Sequence, residues 1–492
     1  MHKSKKLSRS KPVLVILLPV FFVWHGYVQN YPLVPVPDAL KLVFEYLAAA
    51  LLLVFISYFI FKSWQKALLF VFFLMCVQFF FGAVQDLFKN WFYTSFIPKY
   101  SFLLPFVLAL IAVTIFFLLK TRRHFNKITQ YLIITLVLLI AVDVAVVVSK
   151  FISRSGTNET ITGITECTDC KKPNIYLVIT DEYAGREELH DIFSFDNSAF
   201  ESMLQKRNFH VVKKAMSNYN YTPYSMASIF DMNYLERITN KANDIDNRSI
   251  SYETINKNAL VNILNEFGYD FVNLSLFDFA GKPGVNNNEF YSTHEKLISS
   301  QTLTGRIKKD LWYHLVTTFK FKWAQKNWQR GLINVLEKEY RGTLSAAEES
   351  SGRPRFIYTH FIMPHYPYLF DRNGNQLSFE ESQQEIRKDL YLEYLQYCNK
   401  QCLALTDSIL KKDKTGPIVI LMSDHGFTKY DASAIDASYN FNNMINIYLP
   451  DKNYSGFPDT ISNVNLFRFI VNKQFKQRLP LLKDSTIFLK EY

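Results

Sequence analysis

Asp424-His425-Gly426 places an adjacent carboxylate and imidazole just after the apolar run Pro417–Met422, with only Ser423 between. If that run is a strand, both donors arrive at its carboxyl-terminal end, where α/β enzymes gather ligand-binding groups. An Asp and a His are donors for a divalent cation. Taken alone, the tripeptide is more often a turn, with Gly supplying the bend. A second acidic strand end strengthens the metal reading. Asn174–Thr180 is rich in Ile, Val, Leu and Tyr, reads as a buried strand, and runs into Asp181-Glu182. Between the two lies Asn218-Tyr219-Asn220-Tyr221-Thr222-Pro223-Tyr224-Ser225. A helix starting near Ser225 would put Thr222 at or just before its N-terminus, where free backbone N–H groups bind a phosphoryl or sulfuryl oxygen. A threonine hydroxyl is a weak nucleophile until a bound cation lowers its pKa. The competing role for Thr222 is a plain N-cap.

The elements that must position these residues alternate between helix and strand, the pattern of an α/β fold with a mostly parallel sheet. Helices are predicted over Glu187–Phe195, Ser198–Arg207, Tyr252–Phe267 and Leu390–Lys411, and strands over Asp270–Leu274, Arg355–Phe361 and Ile418–Met422. Gly268 ends the third helix. Residues 284–350 break the pattern, first Asn-rich, then basic and aromatic through Trp312, Trp323 and Trp328. They are predicted to be an inserted helical region over the site face, with a membrane surface as the alternative resting place for their Lys/Trp/Phe mixture. After the Arg355–Phe361 strand, Pro364-His365-Tyr366-Pro367 restrains an imidazole between prolines. His365 is expected to bind a nonbridging oxygen or to protonate a leaving group, and His360 to orient a ligand. His190, His210, His294 and His314 have no comparable setting and are read as surface or packing residues.

Charge divides the 492-residue chain sharply. Through residue 155 there are 16 Lys and Arg against 4 Asp and Glu; the remaining 337 residues carry 39 and 40. The polar part has no positive excess to neutralise phosphates, which removes a nucleic-acid partner. The basic part holds five apolar spans, about Pro12–Tyr31, Ala39–Phe61, Ala67–Val84, Phe102–Leu119 and Tyr131–Val148. Each is near the ~20 residues that cross a bilayer. Basic residues cluster before the first span, between the second and third (Lys62, Lys66), and between the fourth and fifth (Lys120, Arg122, Arg123, Lys127). The positive-inside rule makes the N-terminus cytoplasmic and puts everything after Lys150 outside. No small-residue cleavage site follows the first span, so a cleavable signal peptide is disfavoured. Asp143 and Glu45 lie within spans and are expected to face the bundle interior or a polar opening, either in an interhelical hydrogen bond or in admitting a lipid headgroup. The expected organisation is a transmembrane domain over residues 1–150, a linker over 151–172 and an external domain over 173–492.

Five cysteines are present, with Cys76 inside a span. The other four form two close pairs, Cys167 with Cys170 and Cys398 with Cys402. Disulfides in open pairing are favoured in an oxidising compartment, over a zinc tetrathiolate.

Residues 172–492 resemble the sulfatase-like catalytic domain of the alkaline phosphatase superfamily, in its membrane-anchored branch similar to lipoteichoic acid synthases and phosphoethanolamine transferases. The matching pieces are Pro173 through Tyr183, the Thr222 segment, His360 through Pro367, and Ser423-Asp424-His425-Gly426. Further matches are Phe441-Asn442-Asn443 and Ser462 through Arg468. The resemblance implies Asp181, Asp424 and His425 as metal ligands and Thr222 as nucleophile and ligand. Glu182 is a candidate for orienting a ligand. It implies one divalent cation, Mn²⁺ or Zn²⁺ before Mg²⁺, with a second metal drawing on Glu182 and His360. No Cys-x-Pro-Ser-Arg segment is present, so the formylglycine nucleophile of sulfatases is absent and phosphoryl chemistry ranks above sulfate-ester cleavage. The implied reaction moves a phosphoalcohol headgroup from a phospholipid to an envelope glycan or lipid through a phosphothreonine, at a bacterial-type cytoplasmic (inner) membrane. A membrane-anchored hydrolase and a noncatalytic scaffold are the alternatives.

Overall fold

A computed structural model describes residues 12–491 apart from 32, 124, 155–160, 162, 166, 285–293 and 430–435. The chain forms two compact units, one from the described residues of Met1–Asn158 and Ser292–Ala324, the other from those of Glu159–Tyr291 and Gln325–Tyr492.

The first unit is helical: α1 Val13–Gln29, α2 Val36–Phe61, α3 Trp64–Trp91, α4 Tyr100–Lys120 and α5 Asn126–Arg154. The last four of these helices supply spans long and apolar enough to cross a membrane, which makes this a multi-pass membrane protein. The first expected span is a 17-residue apolar helix, shorter than the others. Helix α1 packs on α2, α3 and α5. Asp143 of α5 is buried and its Oδ1 lies 3.0 Å from His25 Nδ1 of α1, the inward orientation expected of an intramembrane carboxylate. Glu45 departs from that expectation and sits on the exposed face of α2. Its neighbour Tyr46 takes the inward position against Phe22 and Phe79.

The stretch expected as one insertion is divided between the units. Helices Glu295–Ser299 and Leu303–Tyr313 belong with the membrane helices, and most of Lys322–Glu348 belongs to the second unit. Gly82 permits the close approach of the Leu303–Tyr313 region, because a Cβ there would meet the Gln301 carbonyl oxygen at 2.4 Å.

The second unit is built on a six-stranded sheet. Its strands are β1 Ile175–Asp181, β2 His210–Val211, β4 Asp270–Leu274, β5 Arg355–Pro364, β6 Ile418–Ser423 and β8 Ile445–Tyr448, in the order β2-β8-β6-β1-β5-β4. The four strands β4, β5, β1 and β6 run parallel, and β8 pairs antiparallel to β6 and β2. A small second sheet joins β3 Lys214–Met216 to β7 Asn442–Asn443 and β9 Thr460–Ser462. Every residue of β1, β5 and β6 is buried, because helices cover both faces of the sheet. Ile175, Leu177 and Ile179 point to the layer holding helix Thr222–Asp231, whereas Tyr176 and Val178 point to the layer of helix Lys388–Lys412. Hydrophobic packing thus fixes which residue leaves each strand end.

Two local expectations change. The predicted helix Tyr252–Phe267 is two helices, Ile245–Asn256 and Ala259–Glu266. Asn258 breaks the run, because its side chain accepts the Val261 N–H and caps the second helix. Only Cys167 and Cys170 form a disulfide. Cys398 and Cys402 are unbonded, 3.9 Å apart between sulfurs, in the core layer opposite Cys167, so the four thiols do not meet in a tetrathiolate.

Candidate active site

Strands β1 and β6 are neighbours in register, with Thr180 beside Ser423. Their carboxyl ends therefore deliver Asp181 and Asp424 side by side. Helix Thr222–Asp231 begins at the same edge, with Tyr221 as its N-cap residue and Pro223 in the first turn, a position that needs no N–H. Thr222 is thus the first helical residue, one past the cap position, and its hydroxyl faces Asp181 and His425.

Thr222 Oγ1 lies 3.2 Å from Asp181 Oδ1 and 3.2 Å from His425 Nε2. His425 Nδ1 donates to the Gly426 carbonyl oxygen at 2.7 Å, so in the neutral ring it is Nε2 that offers a lone pair towards the hydroxyl. Asp424 Oδ1 accepts the Glu182 N–H at 3.0 Å, while Oδ2 is buried without a hydrogen-bond partner, 3.3 Å from His425 Nε2. Donor atoms of Asp181, Asp424 and His425 all lie within 4.8 Å of one another. Burial, with Asp424 and Glu182 beside it, pushes the Asp181 carboxyl well above the usual carboxylate range. Burial opposes ionisation of Asp424 too, but His425 and His360 hold it below that range. Two carboxylates so close cannot both ionise without a cation. An orphaned buried carboxylate oxygen, a second carboxylate and an imidazole lone pair fit a divalent cation, with the Thr222 oxygen as a further donor.

Backbone clamps hold this arrangement. Asn463 and Ser225 both donate to the Asp424 carbonyl oxygen, at 2.8 and 2.6 Å, and Asn443 donates to Ser423 O at 2.8 Å. Gly426 has no room for a side chain: a Cβ would meet Asn442 O and Tyr439 O at 2.6 Å and Glu188 Oε2 at 2.7 Å. Glu188 is itself fully buried and accepts the Phe427 N–H; burial keeps its carboxyl well above the usual range.

Glu182 is buried with φ 59°, a left-handed conformation uncommon outside glycine. Its Oε1 accepts from the Thr428 N–H and hydroxyl, and its Oε2 lies 3.6 Å from His365 Nε2. His365 is partly exposed beside Glu182, outside the Asp181–Asp424–His425 trio. His360 is buried, 2.7 Å from the Tyr358 hydroxyl, and desolvation pushes it down to about 4 with His425 and His365 adding to the effect. Sequence reasoning missed Glu188, Thr428, Ser225 and Tyr358. The last could have been found, since Tyr358 and His360 alternate on one strand and share a face.

No family model and no curated protein sequence matches the chain. Among solved structures it is similar to the zinc-bound periplasmic domain of EptC from Escherichia coli, at 14% identity over 65% of this chain and 90% of that one, TM-score 0.40. It is also similar to the integral membrane lipooligosaccharide phosphoethanolamine transferase EptA from Neisseria meningitidis, at 11% identity over 94% and 95% of the two chains, TM-score 0.39. A putative sulfatase from Bacteroides thetaiotaomicron matches at 11% identity over 64% and 73%, TM-score 0.38. These likenesses are distant. The chemistry rests on the arrangement around Thr222.

Proposed function

We propose that the chain transfers a phosphoalcohol headgroup from a phospholipid to an envelope glycan or lipid, through a phosphothreonine at Thr222. The observation that carries this reading is Thr222 Oγ1 held 3.2 Å from both Asp181 and His425 at a helix N-terminus. A divalent cation held by Asp181, Thr222, Asp424 and His425 would lower the pKa of the hydroxyl and offset charge on the phosphoryl oxygens. Mn²⁺ and Zn²⁺ suit that donor set best.

Thr222 Oγ1 forms the bond to phosphorus, and the proton it sheds has an acceptor in Asp181 Oδ1. The bond from phosphorus to the lipid alcohol breaks, and His365, the partly exposed imidazole beside Glu182, protonates the departing oxygen. An acceptor hydroxyl then loses its proton to the now neutral His365 and bonds to phosphorus as the bond to Thr222 Oγ1 breaks, and Oγ1 recovers its proton from Asp181. The lysine and arginine distribution supports an extracytoplasmic location for the second unit, and the four spans support a donor drawn from the bilayer. Glu182 and His360 orient the ligands in this reading, through the Glu182 N–H to Asp424 and the approach of His360 to Asp424.

The test incubates purified full-length protein with headgroup-labelled phospholipid and candidate glycans, and follows label transfer and the mass of the Thr222 peptide. Headgroup phosphate trapped on Thr222 and a loss of about 10³-fold or more in Thr222→Ala are expected. Undiminished turnover in Thr222→Ala overturns the mechanism. Label found only in free phosphoalcohol assigns hydrolysis instead.

A further inference from the structure

The tip formed by the end of helix Leu303–Tyr313, the π-helical turn His314–Thr318 and the start of helix Lys322–Glu348 exposes large apolar side chains together. Leu311, Tyr313, Phe319 and Trp323 are 52%, 60%, 61% and 55% exposed. Trp312 packs on Trp323 with ring centroids 5.9 Å apart, and Phe319 stacks with Phe321 at 6.1 Å. Helix Leu303–Tyr313 has no buried residue at all. Exposed Lys308, Lys309, Lys320 and Lys322 flank the rings.

Attachment of this tip is specific. Arg306 forms a two-pronged ion pair with Asp86 near the end of α3, and the Tyr100 hydroxyl at the start of α4 donates to Asp310 at 2.6 Å. Next to it, His294 pairs with Asp38 at the start of α2 at 2.7 Å. These three helix ends lie on one side of the membrane unit, opposite the Lys62–Lys66 and Lys120–Lys127 connections. The segment that carries the rings is thus tied to the ends of helices long and apolar enough to cross a bilayer.

We propose that this tip is a membrane-interface anchor, its rings inserted at the headgroup–acyl boundary of the leaflet on that side and its lysines on lipid phosphates. A contiguous exposed apolar cluster is costly in water. Trp and Tyr rings favour the interfacial zone, and basic residues beside them are drawn to anionic headgroups. Continuity with the apolar spans and the lysine flank both point to lipid as the occupant, in preference to a second copy of the chain. The proposal is independent of the chemistry at Thr222, because it concerns where a segment lies.

The test places a nitroxide at Phe319→Cys in the full-length chain, with the free thiols removed by Cys76→Ala, Cys398→Ala and Cys402→Ala in all samples, reconstituted into phosphatidylcholine nanodiscs. Accessibility to oxygen and to a water-soluble nickel chelate is compared with Phe55→Cys on the exposed face of α2 and with Met203→Cys on helix Ser198–Lys206. The 319 site is expected to be oxygen-rich and nickel-poor, with an oxygen-to-nickel ratio severalfold above the 203 site. Leu311→Cys supplies the same reading if Phe319→Cys does not fold. Nickel access equal to the 203 site overturns the proposal, and so does exclusion of both reagents with spin–spin broadening, the signature of a second copy. Discs containing phosphatidylglycerol should raise the ratio further, and glutamine at all four lysines should abolish that increment; no increment in the unsubstituted protein overturns the electrostatic part.

Discussion

Among the described residues two clusters bring an aspartate, a histidine and a further carboxylate within 4.8 Å, yet they differ in what they lack. Around Asp38, His294 and Glu295 every charge has an opposite one to hand: His294 Nδ1 lies 2.7 Å from Asp38, and Lys41 lies 3.5 Å from Glu295. All three residues are partly exposed. Around Asp181, Asp424 and His425 burial is complete or nearly so, Asp424 Oδ2 accepts no hydrogen bond, and two carboxylates share the one imidazole of His425, whose Nε2 lies 3.3 Å from that oxygen. Spacing alone does not distinguish a salt-bridge cluster from a cation site. Unsatisfied, desolvated negative charge does.

The largest effect that could break this contrast is on bound metal. Asp424→Asn should lower the metal content of the purified protein, measured by elemental analysis, and lower the proposed headgroup transfer at least about a hundredfold. Asp38→Asn should leave metal content unchanged. Metal lost equally from both variants would erase the distinction.

Chelation should sharpen it further. A cation bound only by the folded state at a hundred times its dissociation constant stabilises by about 2.7 kcal/mol, so chelator should lower the melting midpoint of the wild type and not that of Asp424→Asn. The chelated protein should also respond to pH. Asp181 and Glu188 have folded-state carboxyls raised by burial, so they bind protons more tightly folded than unfolded. Their stabilisation is complete below the ordinary carboxylate range and is lost as pH rises through the raised values. Melting midpoints in chelator should therefore fall as pH increases above about 4, and excess Mn²⁺ or Zn²⁺ should suppress the fall at the Asp181 site. A flat profile in chelator would contradict the unsatisfied-charge account.

Gly426→Ala tests the backbone behind the ligands. Two of the three atoms a Cβ would meet are backbone carbonyl oxygens at 2.6 Å, which cannot swing aside. A cost of about 1–3 kcal/mol is expected from denaturant unfolding, with weaker metal retention because Asp424 and His425 immediately precede the glycine. Unchanged stability would mean that the loop is free to shift.

Legibility in the sequence followed the range of the forces involved. β1 and β6 were readable because parallel strands covered on both faces are continuous apolar runs, and Asp181 and Asp424-His425 were readable as the polar residues that end them. Thr222 was readable from the helix start. Glu188 was not, since it lies in a charged hexapeptide, Arg186–Asp191, and only the fold turns one of its two adjacent glutamates inward. The contacts of Asn463 and Ser225 with Asp424 O were hidden too, although Asn463 lies in a segment that carries the resemblance, because they span 39 and 199 residues of chain. The attachment of helix Leu303–Tyr313 to the membrane unit depends on Arg306–Asp86 and Tyr100–Asp310, pairs 220 and 210 residues apart. No local pattern encodes such partners.

The smallest effect belongs to the satisfied cluster. His294→Gln removes a charge partner from Asp38 at a site where both side chains keep some access to water, 15% and 27% exposed. Solvent screens such a pair, and Lys41 remains close to Glu295, so the loss should be about 1 kcal/mol or less. Raising ionic strength should shrink it, because screened pairs contribute less as salt increases. Headgroup transfer and metal content should match the wild type. A metal-dependent melting shift that disappears in His294→Gln would reverse the assignment and make the half-exposed trio a cation site, since only a bound ion would link that imidazole to added metal.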